Sequence, residues 1–288
     1  MPELPEVETV VRGLKKPLVG QIIKDIKKLR PKSLQLASGL SLNKLKGLKI
    51  LNLTRRGKGI IINLTKDISL LIHLKMTGQL IYVANNKTRL NLGHPTADFI
   101  NSMPSKHTRV IFKLSQGVLY FNDQRLFGWI KAMPTKNIPS DSFIKNLGLD
   151  ALSKSFTADV LWQIIAKKSK SSIKSIILDQ SNIAGIGNIY ANESLFLAGV
   201  KPDRKTATLN KNEIKKLTLS IKQILKKGIK YSGTSISDYK TGQGAAGRMQ
   251  NYLKVYGRTG LPCKKCKTLI KKIKTAGRSS HFCPTCQK

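Results

Sequence analysis

CKKCKTLIKKIKTAGRSSHFCPTC, residues 263–286, holds all four cysteines of the 288-residue chain. Two residues separate Cys263 from Cys266 and Cys283 from Cys286, with 16 between the pairs. This spacing fits a four-cysteine zinc site. Two knuckles joined by a β-hairpin present four thiolates tetrahedrally and leave no position open to water, which makes the metal structural. Free or redox-active thiols are the alternative reading. His281 lies close by but is not needed as a ligand. Within the first pair stand Lys264 and Lys265, and between the pairs Lys267, Lys271, Lys272, Lys274 and Arg278, so the hairpin presents a phosphate-facing surface held rigid by zinc.

The rest of the chain shares that basic character. Lys and Arg number 52 against 15 Asp and Glu, a formal charge of +37. Such self-repulsion points to a polyanionic partner, nucleic acid foremost, although a general lysine bias accounts for part of the magnitude. A hydrophobic content of 40% supports packed cores. The basic residues do not gather on one long amphipathic helix with an aromatic face, which argues against a membrane-surface role. The N-terminus is acidic, and the apolar stretches 59–64 and 68–74 are too short for a membrane span. A cytoplasmic location is expected, whose reducing conditions disfavour disulfides.

Upstream of the cysteines the period of the sequence changes twice. Val7, Val10, Val11 and Leu14 stand at helical spacing, and Gly20 closes that segment. From about 21 to 133 short β-rich runs, among them KILNLTRRGKGIIINL and ISLLIHLKMTGQLIYV, predict an antiparallel sandwich. Residues 84–106 read as a long surface loop. Pro134, Pro139 and Gly148 mark a linker, after which SFTADVLWQIIAKK, SIKSIILDQ, GNIYANESLFLAGV and LNKNEIKKLTLSIKQILKKGIK predict four helices. The Gly- and Ser-rich stretch 231–250 has few apolar anchors. The expected class is α+β: an N-terminal helix and β-sandwich (1–134), a linker (135–150), a helical domain (151–250) and a zinc-finger β-hairpin (251–288).

The opening MPELPEVE suggests chemistry. Removal of Met1 would leave Pro2 as an N-terminal secondary amine beside Glu3. An α-amine with a pKa near ~8 is partly neutral at cellular pH, whereas a lysine near ~10.4 is not, so attack on a masked aldehyde to give an imine becomes possible. By itself a Met-Pro start is equally an accident of processing.

With these strings assembled, the chain resembles, nearly end to end, the formamidopyrimidine-DNA glycosylase family, bacterial enzymes that remove oxidised purines and nick the strand. The resemblance rests on MPELPEVETV (1–10), RRGKG (55–59), HLKMTG (73–78), NDQRLFG (122–128), LDQSNIAGIGNIYANESLF (178–196), VYGRTGLPCKKC (255–266) and GRSSHFCPTCQ (277–287). The sister endonuclease VIII family typically begins MPEGPE, so Leu4 favours the purine-directed branch. The resemblance implies that Pro2 attacks C1′ of the damaged nucleotide, that Glu3 protonates the sugar ring oxygen, and that the flanking phosphates leave by β- and δ-elimination. Glu6 resembles a carboxylate supporting the pocket, though helix-dipole complementation alone would also place it there. Lys58, in a Gly-flanked turn, matches a lysine that contacts the lesion and adjacent phosphate; read alone it is a solvated surface lysine.

Met76, Arg125 and Phe127 match a trio that fills the void left by a flipped-out nucleotide; without the family, Met76 and Phe127 read as core residues. The IAGIGN turn at 183–188 resembles a helix-two-turn-helix element, with Asn188 offering its amide and helix-start N–H groups to phosphate. Arg278 resembles the zinc-finger arginine that grips phosphates, and His73 and Arg258 are further phosphate-contact candidates. The segment 231–250 corresponds to the loop that closes over the extruded base. One structural zinc, no catalytic cofactor, a duplex DNA partner with a flipped damaged nucleotide, a monomeric state and a bacterial, nucleoid-associated setting follow from the resemblance. The chain departs from the family at Lys75, where Gly is common, and at Leu126, where a basic residue often stands. LGLDAL at 147–152 lacks a proline often found there. Two rival functions remain open: a non-catalytic DNA-binding protein and a pyrimidine-directed relative.

Overall fold

A computed structural model describes residues 1–234 and 247–288. The chain divides into two compact units, Met1–Lys145 with the described residues of Ser232–Arg248, and Asn146–Tyr231 with Met249–Lys288.

The first unit opens on α1 (Leu4–Leu18), whose Val7, Val10, Val11, Leu14 and Leu18 are buried as the periodicity predicts. Pro17 sits in its last turn, and Gly20, at φ +91°, redirects the chain. There follow β1 (Ile23–Lys28), β2 (Leu34–Leu36), the short α2 (Leu42–Leu45), β3 (Ile50–Arg56), β4 (Gly59–Leu64), β5 (Ile68–His73), β6 (Gly78–Ala84), β7 (Arg89–Gly93), β8 (Thr108–Leu114), β9 (Gly117–Asp123), β10 (Trp129–Pro134) and α3 (Ser142–Lys145). They form two five-stranded sheets, ordered β1-β8-β9-β6-β7 and β2-β10-β5-β4-β3. The apolar stripe of α1 shares one core with residues of both sheets, including Leu53, Ile60, Ile72, Leu80, Val110, Phe112, Phe121 and Ile130. All pairings are antiparallel except β2 with β10, where Leu34 stands beside Ile130. No hairpin joins those two strands, so nothing local imposes their relative direction.

The segment expected to be a surface loop, 84–106, is only partly one. It contains β7 and a 3₁₀ turn at Ala97–Phe99. Leu90 and Leu92 pack on the core, and Leu92 lies so close to Gly13 of α1 that a Cβ there would come within 3.0 Å of it. Asp98, 1% exposed, accepts from Asn122 Nδ2 at 3.1 Å and faces His107 Nδ1 at the same distance. Arg89 Nη1 donates to the Asn101 carbonyl at 2.6 Å. The polar composition that suggested a loop instead fastens this excursion to the sheet.

The second unit contains β11 (Leu149–Asp150), α4 (Ala158–Ala166), α5 (Ile173–Leu178), β12 (Ile183–Ala184), α6 (Asn188–Ala198), α7 (Lys211–Lys230), β13 (Lys271–Thr275) and β14 (Arg278–Phe282). Thr157, Ser172 and Asn210 accept backbone N–H groups as N-caps of α4, α5 and α7. Every residue from Ile189 to Leu195 of α6 is buried, Asn192, Glu193 and Ser194 among them. A helix buried on all sides depends on internal partners for its polar side chains; Asn192 and Glu193 have them, while the Ser194 hydroxyl has none among the described residues.

Residues 135–150 do not form a free linker. Residues 135–145 belong to the first unit, where Lys131 Nζ donates to Asp141 Oδ2 at 2.7 Å, while Leu149–Asp150 pairs in parallel with Ile183–Ala184 in the second. The prolines and glycine that marked the linker shape turns between fixed elements. The expected lesion-capping stretch 231–250 falls, for residues 235–246, outside the described residues. Of its described residues, 232–234 and 247–248 group with the first unit, where Thr234 bonds to α1 and pairs with Arg248, while Tyr231, Met249 and Gln250 group with the second. Among the described residues no helix is long and apolar enough to cross a membrane.

Gly78 begins β6 where the backbone doubles back on β5, and a Cβ there would lie 2.3 Å from the Leu74 carbonyl oxygen. Gly78→Ala is expected to destabilise the protein by about 1–3 kcal/mol, measured as a fall in urea midpoint with unchanged m.

Candidate active site

The N-terminal turn of α1 carries the first group of expected site residues. Pro2 and Glu3 are buried, while Met1 is 39% exposed. With Met1 attached, the Pro2 nitrogen is an amide and not a nucleophile. Glu3 is the N-cap, and it forms a reciprocal capping box with Glu6, whose Oε2 accepts the Glu3 backbone N–H at 2.9 Å. The other oxygen of Glu6 accepts the Thr234 backbone N–H at 2.8 Å and its hydroxyl at 3.2 Å. Gly233, at φ +78°, passes so close that a Cβ would meet Glu6 Oε1 at 2.7 Å. Glu6 therefore does more than complement the helix dipole.

Lys58 lies in the two-residue turn between β3 and β4, after Gly57 at φ +56°, and is 5% exposed. The solvated-surface reading of this lysine does not hold. Gly59 pairs with His73 across β4 and β5, which brings the Lys58 turn to the His73 end of the sheet. His73 is buried against Trp129 and Phe143, at ring distances of 5.7 and 4.9 Å. Burial, then the charges of Lys75 and Lys58, lower its pKa to about 3. The Lys75 backbone N–H donates to His73 Nδ1 at 2.9 Å, which leaves the ring proton on Nε2.

Met76, Arg125 and Phe127 are exposed, Met76 by 37% and Phe127 by 53%. Read alone as core residues, Met76 and Phe127 are in fact presented to the outside. The Arg125 guanidinium lies 5.0 Å from the Phe127 ring centroid. Two residues the sequence reading passed over hold this group together. Asp123, 1% exposed, accepts the Gly128 N–H at 2.6 Å and the Arg125 N–H at 3.3 Å, and it also takes the hydroxyl of Thr77. The Thr77 oxygen in turn accepts the Arg125 N–H at 3.0 Å. The loop bearing Met76 and the loop bearing Arg125 and Phe127 thus share one carboxylate. Two of the three departures from the family lie here: Lys75 at φ +50° and Leu126 at φ +61° hold left-handed backbone that favours glycine.

In the second unit, the Asn188 amide does not stand open at its helix start. Its Nδ2 donates to the Ser279 carbonyl at 3.1 Å. Lys174, fully buried, donates to that carbonyl at 2.8 Å and to Ser280 Oγ at 2.7 Å. These bonds fix the strand that follows Arg278, which is exposed. Arg258 is half-buried, and its Nη2 donates to the Pro262 carbonyl at 2.9 Å beside the first knuckle. From α6, Asn192 Oδ1 accepts the His281 N–H at 2.8 Å, and Glu193 accepts the N–H groups of Lys254, Val255 and Tyr256 at 2.8–2.9 Å. Burial raises the pKa of Glu193, and those three donors oppose the rise.

The sulfurs of Cys263, Cys266, Cys283 and Cys286 all lie within 4.8 Å of one another. Burial and the neighbouring thiols push Cys286 up, while hydrogen bonds from Thr268 bring Cys266 down. Four thiolates at this separation require a cation, and the donor set suits zinc. His281 Nδ1 is 2.9 Å from Thr259 Oγ1; it is satisfied there and stands outside the cysteine cluster.

Three family models match in chain order: the formamidopyrimidine-DNA glycosylase N-terminal domain over residues 1–130, the H2TH domain of that glycosylase over 147–240, and a zinc finger found in FPG and IleRS over 260–288. Formamidopyrimidine-DNA glycosylases of Pelotomaculum thermopropionicum and Desulfitobacterium hafniense are 42% and 39% identical to the chain, covering 100% of it and 99% and 100% of their own lengths. The chain belongs to the formamidopyrimidine-DNA glycosylase family. As a member it is a DNA-repair enzyme of the glycosylase class with a zinc-finger module. A complex of a Lactococcus lactis FPG point mutant with DNA containing Fapy-dG is similar at a TM-score of 0.87 and 36% identity, with 100% of both chains covered. A complex of Lactococcus lactis Fpg with abasic-site DNA follows at 0.85 and 36%, covering 99% of each.

The depressed pKa of His73 has a direction that can be measured. The unfolded chain takes up this proton near pH ~6.5 and the folded one only near 3, so between those values the unfolded state binds more protons and stability rises with pH. Replacing His73 by Gln is expected to shrink the difference in urea midpoint between pH 7 and pH 5 relative to the parent chain.

Proposed function

We propose that this glycosylase excises oxidised purines, 8-oxoguanine and formamidopyrimidines, and cleaves the strand through an N-terminal proline Schiff base with β,δ-elimination. The observation that carries this reading is the burial of Pro2 and Glu3 at the capped start of α1, in the same unit as the buried Lys58 turn. Fapy-dG and abasic-site DNA in complexes of the Lactococcus relative support the substrate class.

In this mechanism removal of Met1 exposes the Pro2 amine. Its nitrogen bonds to C1′ as the glycosidic bond breaks, and the departing base takes the bonding pair and a proton. Glu3 delivers a proton to the ring oxygen as the C1′–O4′ bond opens, leaving an iminium. Loss of the C2′ proton then expels the 3′ phosphate, and a second elimination expels the 5′ phosphate. Lys58 supplies a buried cation toward the lesion and its phosphate. Met76 and Phe127 fill the vacated stack while Arg125 meets the orphaned base, offsetting a base-extrusion cost of a few kcal/mol. His73 donates to phosphate from a neutral ring, and Arg278 and Arg258 ion-pair with phosphates. Asn188 acts through the Ser279 carbonyl that it holds. Zinc on the four cysteines keeps the hairpin rigid and takes no part in the chemistry. The protein acts as a monomer in the cytoplasm, on duplex DNA.

Borohydride reduction of a reaction on 8-oxoguanine opposite cytosine is expected to trap a covalent protein–DNA adduct. A Pro2→Gly variant blocked at its amine, or protein that retains Met1, is expected to bind the duplex and yield no adduct. Absence of an adduct with the mature parent protein would sink the reading in favour of a non-catalytic binder, and a preference for thymine glycol would redirect it to pyrimidines. Chelation of zinc is expected to weaken duplex binding, measured by anisotropy, before any change in near-ultraviolet circular dichroism from Trp129 in the sandwich; equal affinity of the demetallated protein would contradict this.

A further inference from the structure

One guanidinium in the first unit touches both halves of the proposed chemistry. Arg55, the penultimate residue of β3, has a side chain only 9% exposed, and its Nε donates to Glu8 Oε2 at 3.0 Å. Its Nη1 donates to the Gly57 carbonyl at 2.8 Å. Glu8 lies in the second turn of α1, five residues beyond Glu3, and Gly57 immediately precedes Lys58.

We propose that Arg55 is a positioning residue, bridging the helix that carries Pro2 and Glu3 to the turn that carries Lys58, and that Glu8 is its partner in this task. The inference rests on the proline-amine reading above. Two elements from distant parts of the chain must hold their groups on one nucleotide, and a misplacement of about 1 Å can cost about 100-fold in rate. Apolar packing against the sandwich fixes the axis of α1 but leaves sliding and rotation about that axis weakly restrained. A planar fork bonded at both ends removes those freedoms, and a lysine ammonium, a single point charge, does not reproduce it. Burial alone would raise the Glu8 carboxyl, but hydrogen bonds from Arg12 and Arg55 outweigh it and hold it below the ordinary glutamate value. The carboxylate is thus kept charged for its partner. Arg12, 65% exposed, bonds the other oxygen of Glu8 and does not reach the turn.

The test compares single-turnover borohydride trapping with equilibrium binding of a duplex carrying an uncleavable tetrahydrofuran abasic analogue. Arg55→Ala is expected to slow trapping about 10- to 100-fold while changing the analogue's Kd less than about threefold. Arg55→Lys is expected to recover little of the rate. Glu8→Gln, which keeps an acceptor for Arg55 but loses the charge, is expected to fall less than Glu8→Ala, Glu8→Ala to fall with Arg55→Ala, and the double alanine variant to be no slower than either single one. Arg12→Ala is expected to leave the rate unchanged. Parent-like trapping by Arg55→Ala, full rescue by lysine, or equal losses in trapping and binding would overturn the proposal. Should Arg55→Ala fail to fold, the Glu8→Ala and Glu8→Gln pair decides it on the same two measurements. Failure of the parent protein itself to trap would strike the proline-amine reading; a trapping parent with an indifferent Arg55 strikes this inference alone.

Discussion

The two oxygens of Glu6 set the constraint on which the rest of the site depends. One closes the cap of α1 by taking the Glu3 N–H, and the other holds Thr234, more than two hundred residues along the chain. Energy is divided unevenly between this cap and the helix face behind it. Six buried Leu and Val side chains at about 1.5–3 kcal/mol each fix where α1 lies, whereas a cap is worth about 1 kcal/mol. The smaller term nonetheless decides where Pro2 and Glu3 stand, because the end of a helix frays unless its free N–H groups are satisfied.

A different balance governs the zinc module. Its apolar cluster is small: Val255, Ile270 and the cysteines, with Phe196 of α6 packed against them. So little buried surface cannot orient a hairpin, and polar clamps supply what hydrophobic area does not. Glu193 gathers three consecutive backbone donors, Asn192 takes a fourth, and Lys174 with Asn188 hold one carbonyl of β14. In a chain with a formal charge of +37, burying Lys174 runs against the net field, and the two oxygens facing its ammonium offset part of that cost.

The features most legible in the sequence were those with a period or a spacing. The stripe of α1, the cysteine pairs and the capped helices α4, α5 and α7 each repeat a signal that no tertiary context needs to complete. Strand β7 was hidden because RLNLG offers only Leu90 and Leu92 as alternation, and the linker, which does contain the Lys145–Asn146 boundary between the units, is structured because Pro139 and Gly148 shape turns within them. Site residues divided in the same way. Lys58, Met76 and Phe127 were found through motif strings, while their exposure was not: a lysine read alone as surface is buried, and two apolar residues read alone as core stand outside. Asp123, Thr77, Glu8 and Arg55 left no signal beyond lying within those strings. A carboxylate bonding the backbone of one loop and a hydroxyl of another has no sequence period to betray it.

His73 shows how burial changes the kind of contact a residue can make with DNA. Held neutral, with its one proton on Nε2, it can donate a hydrogen bond to phosphate but displaces no condensed counterion. Under the proposed function exposed Arg278 would displace about one, and each such ion adds roughly 0.9 to the slope of log affinity against log salt. On the proposed phosphate contacts, the two residues would separate as ionic strength rises: the arginine's share of the affinity fades, while the histidine's persists as geometry.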